Sequence, residues 1–227
     1  MKKLLFLSLL LLSLATAYAG KPVISILGDS YSTFEGYVEP DTNLVWYFDG
    51  DRKGGRTDVD SVDQTWWSIL TSEEAPYQLG VNNSYSGSTI SYHGYRNEDY
   101  RDRSFVTRMD RLGNPDIILV FGATNDSWAG APIGEYKYSD WADADFYTFR
   151  PAMARMLAGL QELYPDTRLY FILNSELKPE INESAREICK HYGVELIPLS
   201  DIDKSHGHPT QKGMKSIAEQ VARKIAR

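Results

Sequence analysis

Val23-Ile24-Ser25-Ile26-Leu27 runs directly into Gly28-Asp29-Ser30-Tyr31-Ser32. The first five residues form an apolar, β-branched run as long as one buried strand. The next five are turn chemistry, and they bring a serine hydroxyl out where the strand ends. In an open α/β sheet, ligands bind in the crevice beyond the carboxyl ends of the strands. Gly-Asp-Ser by itself is also an ordinary turn, so its meaning depends on what the rest of the chain supplies.

Outward from that junction, apolar runs alternate with segments of helical period, the pattern of a parallel sheet covered on both faces. Residues 116–121 include the unbroken run Ile117-Ile118-Leu119-Val120-Phe121, which belongs in the middle of such a sheet. Further strands are expected at 78–81, 168–173 and 194–198. Helices are expected at 64–73, 148–164 and 180–192, with a last one from about Thr210, where Pro209 suits a first helical turn. No repeat, low-complexity tract or linker interrupts the pattern, so residues 20–227 read as one domain.

Residues 1–19 read differently. Lys2 and Lys3 precede an apolar stretch at 4–14, and Ala17-Tyr18-Ala19 follows as a small-residue cleavage pattern. The stretch is shorter than the roughly 20 apolar residues of a membrane span. A cleavable signal peptide is therefore expected, with a secreted or periplasmic product and no stable membrane insertion after cleavage. The chain carries 24 Lys and Arg against 31 Asp and Glu. With no basic stripe, nucleic acid is not an expected partner. The single Cys189 cannot form an internal disulfide, and its helical setting marks it as core filler.

Three stretches, 34–63, 91–110 and 128–147, lack regular period and are rich in aromatic residues. Some of these rings are expected to plug loops onto the core; others have the chemistry to stack on sugar rings or cover an acyl group.

A serine needs a base to become a nucleophile. Of four histidines, His191 falls on a helix surface and His93 in an aromatic loop, where it stays a secondary candidate. His206-Gly207-His208 with Asp203 also has the makings of a metal site. His208, next to Pro209 at a strand-to-helix loop, lies on the same rim as Ser30. Asp203, with Asp201 behind it, is the nearest upstream carboxylate able to orient the imidazole. Two more segments reach that rim: Asn83-Ser84-Tyr85-Ser86-Gly87-Ser88 and Gly122-Ala123-Thr124-Asn125-Asp126. The N–H groups of Ser30 and Gly87 and the amide of Asn125 would supply three donors to an oxyanion.

Gly28-Asp29-Ser30, Gly87, Asn125-Asp126 and His208-Pro209, in that order, resemble the four sequence blocks of the SGNH (GDSL-type) hydrolase family, over residues 23–225. The resemblance implies an α/β fold, a three-layer α/β/α sandwich with a central parallel sheet of flavodoxin-like type. It implies Ser30 as nucleophile, His208 as base, an oxyanion hole of Ser30, Gly87 and Asn125, and no cofactor or metal. Two positions depart from the family pattern. Ser205 stands three residues before the histidine, where Asp is usual, so the orienting group is either Asp203 or a backbone carbonyl. Ala123 stands where glycine is common. Gly-x-Ser-x-Gly, P-loop and Gly-x-Gly-x-x-Gly motifs are absent.

The expectation is a secreted serine esterase of short-chain, O-acetyl-type esters on carbohydrate, acting through an acyl-enzyme. The alternatives are a lipid acylhydrolase or thioesterase of the same family, and a catalytically silent carbohydrate-binding protein. The expected partner is a small-molecule or carbohydrate ester.

Overall fold

The structure, a computed structural model, describes residues 20–226 except Lys53. The signal-peptide reading falls on residues 1–19, outside the described residues.

Five parallel strands make the sheet: β1 (Val23–Gly28), β2 (Gln78–Ser84), β3 (Ile117–Gly122), β4 (Arg168–Leu173) and β5 (Glu195–Pro198), in the order β2-β1-β3-β4-β5. All six residues of β3 are buried, because it takes a core on each face. Ile118 and Val120 enter one core with Phe149, Met153 and Leu157 of α4 (Phe149–Leu163) and Ile181 and Ile188 of α5 (Pro179–Tyr192). Ile117, Leu119 and Phe121 enter the other with Trp66 of α1 (Trp66–Leu70) and Met214, Ile217 and Val221 of α6 (Gln211–Ile225). Two helical layers thus enclose one sheet, each formed by sequence of period 3.6 facing sequence of period 2. Each buried Leu, Ile or Phe in these layers contributes about 1.5–3 kcal/mol. The remaining helices are short: α2 (Phe105–Arg108) and α3 (Thr124–Ala129).

Several expectations are corrected in detail. The helix expected over 64–73 is the five-residue α1, preceded by a 3-10 turn at Val62–Gln64. Thr65 separates them in extended conformation and caps α1 by accepting from the Ser68 N–H. The strand expected over 78–81 continues to Ser84, because Asn82, Asn83 and Ser84 pair with Ile26, Leu27 and Gly28. Their polarity hid the strand; burial is tolerated because the side chains are bonded, Asn82 Nδ2 to Ser32 O at 2.9 Å and Asn83 Oδ1 to Arg108 at 2.7 Å. Ser25, polar within β1, is likewise satisfied: its hydroxyl donates to Leu112 O and accepts from the Val81 N–H, where the register with β2 shifts.

Candidate active site

Gly28 ends β1 at the crowded centre of the rim. A Cβ there would lie 2.8 Å from Ser32 Cβ, so only glycine lets the chain turn at this point. Asp29 then caps a single 3-10 turn, Ser30–Ser32, its Oδ1 accepting from the Tyr31 N–H at 3.1 Å. That turn presents the Ser30 hydroxyl 3.0 Å from Nε2 of His208, both residues being almost fully buried.

His208 stands on a two-residue hairpin. β6 (Lys204–Ser205) pairs antiparallel with β7 (His208–Pro209), and the connecting His206 and Gly207 have φ +49° and +78°. Positive φ at both central positions is the signature of a tight hairpin turn. The turn points the His206 carbonyl at His208 Nδ1, 3.2 Å away. Aromatic residues fix the ring from the sides. Trp46 stacks on it with centroids 3.6 Å apart and planes 5° from parallel; Tyr31, Tyr47 and Trp128 surround it at 5.4–6.4 Å. The hydroxyls of Tyr31 and Tyr47 donate to the carbonyls of Gly207 and Pro209, pinning the hairpin.

The carboxylate of Asp203 accepts from the hydroxyl of Thr210, the N-cap of α6, and its carbonyl accepts from the Thr210 N–H at 3.1 Å. The group facing Nδ1 is the backbone carbonyl, the other possibility left open by the sequence. Pro209 is not in the first turn of α6 but in the hairpin strand before it. His206 is exposed, with Nδ1 at the Ser205 hydroxyl. Among the described residues no three His, Cys, Asp or Glu side chains are grouped to hold a metal ion.

The donors expected on the rim do converge. Ser30, Gly87, Asn125 and His208 line one cavity of about 150 Å³, with Trp46, Ser86, Tyr95 and Trp128 completing its wall. Gly87 sits at φ +83°, a left-handed conformation that glycine adopts without penalty. Neither the Ser30 nor the Gly87 N–H is spent on a hydrogen bond among the described residues. The Asn125 amide nitrogen donates to Ser88 O at 2.9 Å, and its oxygen accepts from the Tyr95 hydroxyl at 2.7 Å.

Behind this surface lie three buried ionisable groups, Arg108, Asp126 and the Asp29 that caps the Ser30–Ser32 turn. Arg108, 1 % exposed, donates to the carbonyls of Gly28, Asn83 and Arg103, to Asn83 Oδ1 and to the Ser88 hydroxyl, tying the ends of β1 and β2 to the Gly87 loop. Burial draws its guanidinium down to about 9. Asp126 receives the N–H groups of Ile90 and Ser91 and the Ser91 hydroxyl, anchoring that loop from the other side; burial pushes its carboxyl up to about 6. Burial likewise pushes Asp29 up to about 7.

Residues 22–225 match the family described as GDSL-like lipase/acylhydrolase. Two solved structures, described as GDSL-like lipases from Bacteroides ovatus and Bacteroides uniformis, are 56 % and 55 % identical to the chain. Each has a TM-score of 0.88; they cover 92 % and 91 % of this chain, and 99 % and 96 % of their own. An acetyl xylan esterase from Butyrivibrio proteoclasticus shares the fold at TM-score 0.54 and 16 % identity, over 92 % of this chain and 65 % of that one. No curated protein matches the sequence.

Proposed function

This chain belongs to the GDSL-like lipase/acylhydrolase family, whose members act on esters, and we propose that it hydrolyses short-chain esters with Ser30 and His208 as a catalytic dyad. The observation that carries this reading is the 3.0 Å contact between Ser30 Oγ and His208 Nε2 in a cavity lined by Gly87 and Asn125.

Ser30 Oγ attacks the ester carbonyl carbon as its proton passes to His208 Nε2. The negative charge that develops on the carbonyl oxygen is met by the N–H groups of Ser30 and Gly87 and by the Asn125 amide. The tetrahedral adduct collapses, the C–O bond to the alcohol breaks, and His208 returns the proton to the leaving oxygen. Water then attacks the acyl-serine while His208 takes its proton, and the second collapse releases the acid and restores Ser30. The imidazolium formed twice in this cycle is supported by the His206 carbonyl at Nδ1 and by the π face of Trp46, a combination suited to a cation.

A short acyl group is favoured by size. The cavity of about 150 Å³ is below the ~300–1,000 Å³ typical of pockets for drug-sized ligands. An apolar cleft of about 300 Å³, between α1 and α6 around Ile69, Tyr77 and Ala218, includes none of these residues. A carbohydrate alcohol, O-acetylated, is the substrate class we assign, supported by the half-exposed Trp128 beside His208, which offers a sugar ring a stacking surface. Export by cleavage of residues 1–19 is part of the same proposal.

Nitrophenyl esters from acetate to octanoate test the acyl length, with turnover expected to fall steeply beyond butyrate; a rate that rises to octanoate would favour the lipid acylhydrolase reading. A fluorophosphonate should label the wild type and not Ser30→Ala. Absence of labelling in the wild type would favour a silent binding protein instead.

A further inference from the structure

An amide that stabilises an oxyanion must turn its nitrogen, not its oxygen, toward the substrate. Asn125 is almost fully buried on α3, and both ends of its amide are engaged. Ser88 O can only accept, so the end 2.9 Å from it is the nitrogen. The opposite end is therefore the oxygen, and the Tyr95 hydroxyl 2.7 Å away must be donating to it. An amide nitrogen has two hydrogens; one goes to Ser88, and the second is left for the cavity that Asn125 and Tyr95 both line.

Tyr95 is held in place by a tight turn. His93 and Asp99 form an isolated antiparallel bridge. Gly94 N–H donates to Glu98 O at 2.8 Å, Glu98 N–H to Tyr95 O at 3.1 Å and Tyr100 N–H to Tyr92 O at 2.8 Å. Arg96 and Asn97 take φ of +56° and +60° to close it, a cost repaid only if the turn fixes something. Gly94 lies flat against the Tyr100 ring, where any Cβ would collide. Burial keeps the phenol protonated well above its ordinary range, so the hydroxyl remains a donor wherever an esterase works.

We propose that Tyr95 is a positioning residue for the reaction, locking and polarising the Asn125 amide so that its free N–H meets the developing oxyanion. This rests on the reading of Asn125 as an oxyanion donor. As charge builds on the substrate oxygen, electron density is drawn toward the amide oxygen and the Tyr95 hydrogen bond strengthens. The gain arises in the transition state and not in the bound ester, so it acts on kcat and leaves KM alone.

Steady-state hydrolysis of 4-nitrophenyl acetate by full-length Tyr95→Phe, Asn125→Ala and the double variant tests this. Tyr95→Phe keeps the ring and its contact with Tyr100. Its kcat should fall ~3- to 10-fold, the worth of one ordinary hydrogen bond, with KM unchanged within about twofold. Asn125→Ala should lose on the order of 100- to 1,000-fold in kcat, and adding Tyr95→Phe to it should cost nothing more. If Asn125→Ala does not accumulate as folded protein, Asn125→Ser takes its place in the cycle. Wild-type kcat in Tyr95→Phe, a change confined to KM, or multiplying effects in the double variant would each overturn the proposal while leaving Asn125 as a donor. A fully active Asn125 variant would instead overturn the oxyanion reading, and the proposal with it.

Discussion

At the scale of single residues, the site divides into groups readable from local sequence and groups that only folding brings in. Ser30→Ala and His208→Ala should each lower kcat by roughly 10⁴- to 10⁶-fold, as losses from a nucleophile–base unit do, measured against 4-nitrophenyl acetate. Asp203→Ala should behave differently, because its carboxylate holds Thr210 and not the imidazole. Less than about tenfold should be lost in kcat, with a stability loss near 1 kcal/mol, the usual value of a helix cap; a drop as deep as that of His208→Ala would return Asp203 to the base's side. Ser30, Gly87 and Asn125 were singled out because each follows the end of a strand, and His208 because it precedes Pro209 in a loop; the structure brings all four to one cavity. Asp203 and a backbone carbonyl stayed open as partners of the imidazole because sequence separation cannot tell a carboxylate five residues away from a carbonyl two residues away when a positive-φ turn lies between. Trp46 was noticed as one of many loop aromatics, but nothing in the period-free stretch 34–63 marked it as the ring stacked on His208. Trp46→Ala should cost about tenfold in kcat, in line with a cation–π contact of ~0.5–2 kcal/mol, and Trp46→Phe should recover most of it. Equal activity of Ala and Phe at this position would remove the stack from the mechanism.

At the scale of elements, the rim depends on keeping the carboxyl ends of β1 and β2 in fixed relation to the Gly87 loop. Arg108 does this from α2, reaching Gly28 O at 3.1 Å and the Ser88 hydroxyl at 3.0 Å from one guanidinium. Arg108→Leu would take the guanidinium from the buried Asn83 carbonyl and amide oxygen and one of two donors from the Gly28 carbonyl, which keeps the Tyr85 N–H at 3.1 Å. A loss on the order of 3–5 kcal/mol is expected, read as a lower midpoint in urea denaturation, and Arg108→Lys should recover only part because a point charge cannot span the fork. A midpoint within error of wild type in Arg108→Leu would show that water reaches these carbonyls. This cross-tie explains the one strand whose extent the sequence concealed. Alternation and apolar runs reveal strands that bury side chains in oil; β2 ends in Asn82-Asn83-Ser84 because its last three residues bury side chains in a hydrogen-bond network. The short α1 was over-read for the opposite reason. Trp66, Trp67 and Leu70 supply helical period, but Thr65 and Thr71 bound the helix at both ends in non-helical conformations.

At the scale of the whole molecule, a parallel sheet covered on both faces with β3 in its middle was legible from period, since β3 needs apolar neighbours on each face and the helices have one apolar face each, whereas the order β2-β1-β3-β4-β5 came only from the structure. What period could not convey is that the centre of the rim buries ionisable groups. Asp29 and Asp126 are fully buried and interact with one another, Asp29 also with Arg108, and desolvation is the largest influence on both carboxyls, lifting them to about 7 and about 6. In an unfolded chain an aspartate titrates near 3.9. Between about pH 4 and pH 7 the folded protein therefore holds protons that the unfolded chain has released, and raising the pH across that window favours unfolding. The contribution is fully present below the unfolded value and is lost as pH rises through the folded values. Exposed Asp99 and Asp145 shift the other way, through hydrogen bonds to Arg101 N–H and Tyr147 and to Lys137 and Ala142 N–H, but solvent screens groups in their position and their influence on stability is small. The urea midpoint of the wild type should thus fall between pH 4.5 and pH 8, and Asp29→Asn, which keeps an acceptor for the Tyr31 N–H, should flatten that fall. An Asp29→Asn protein with the wild-type slope would mean that Arg108 holds Asp29 ionised throughout, and that the cation beneath Gly28 serves the carboxylate as much as the backbone.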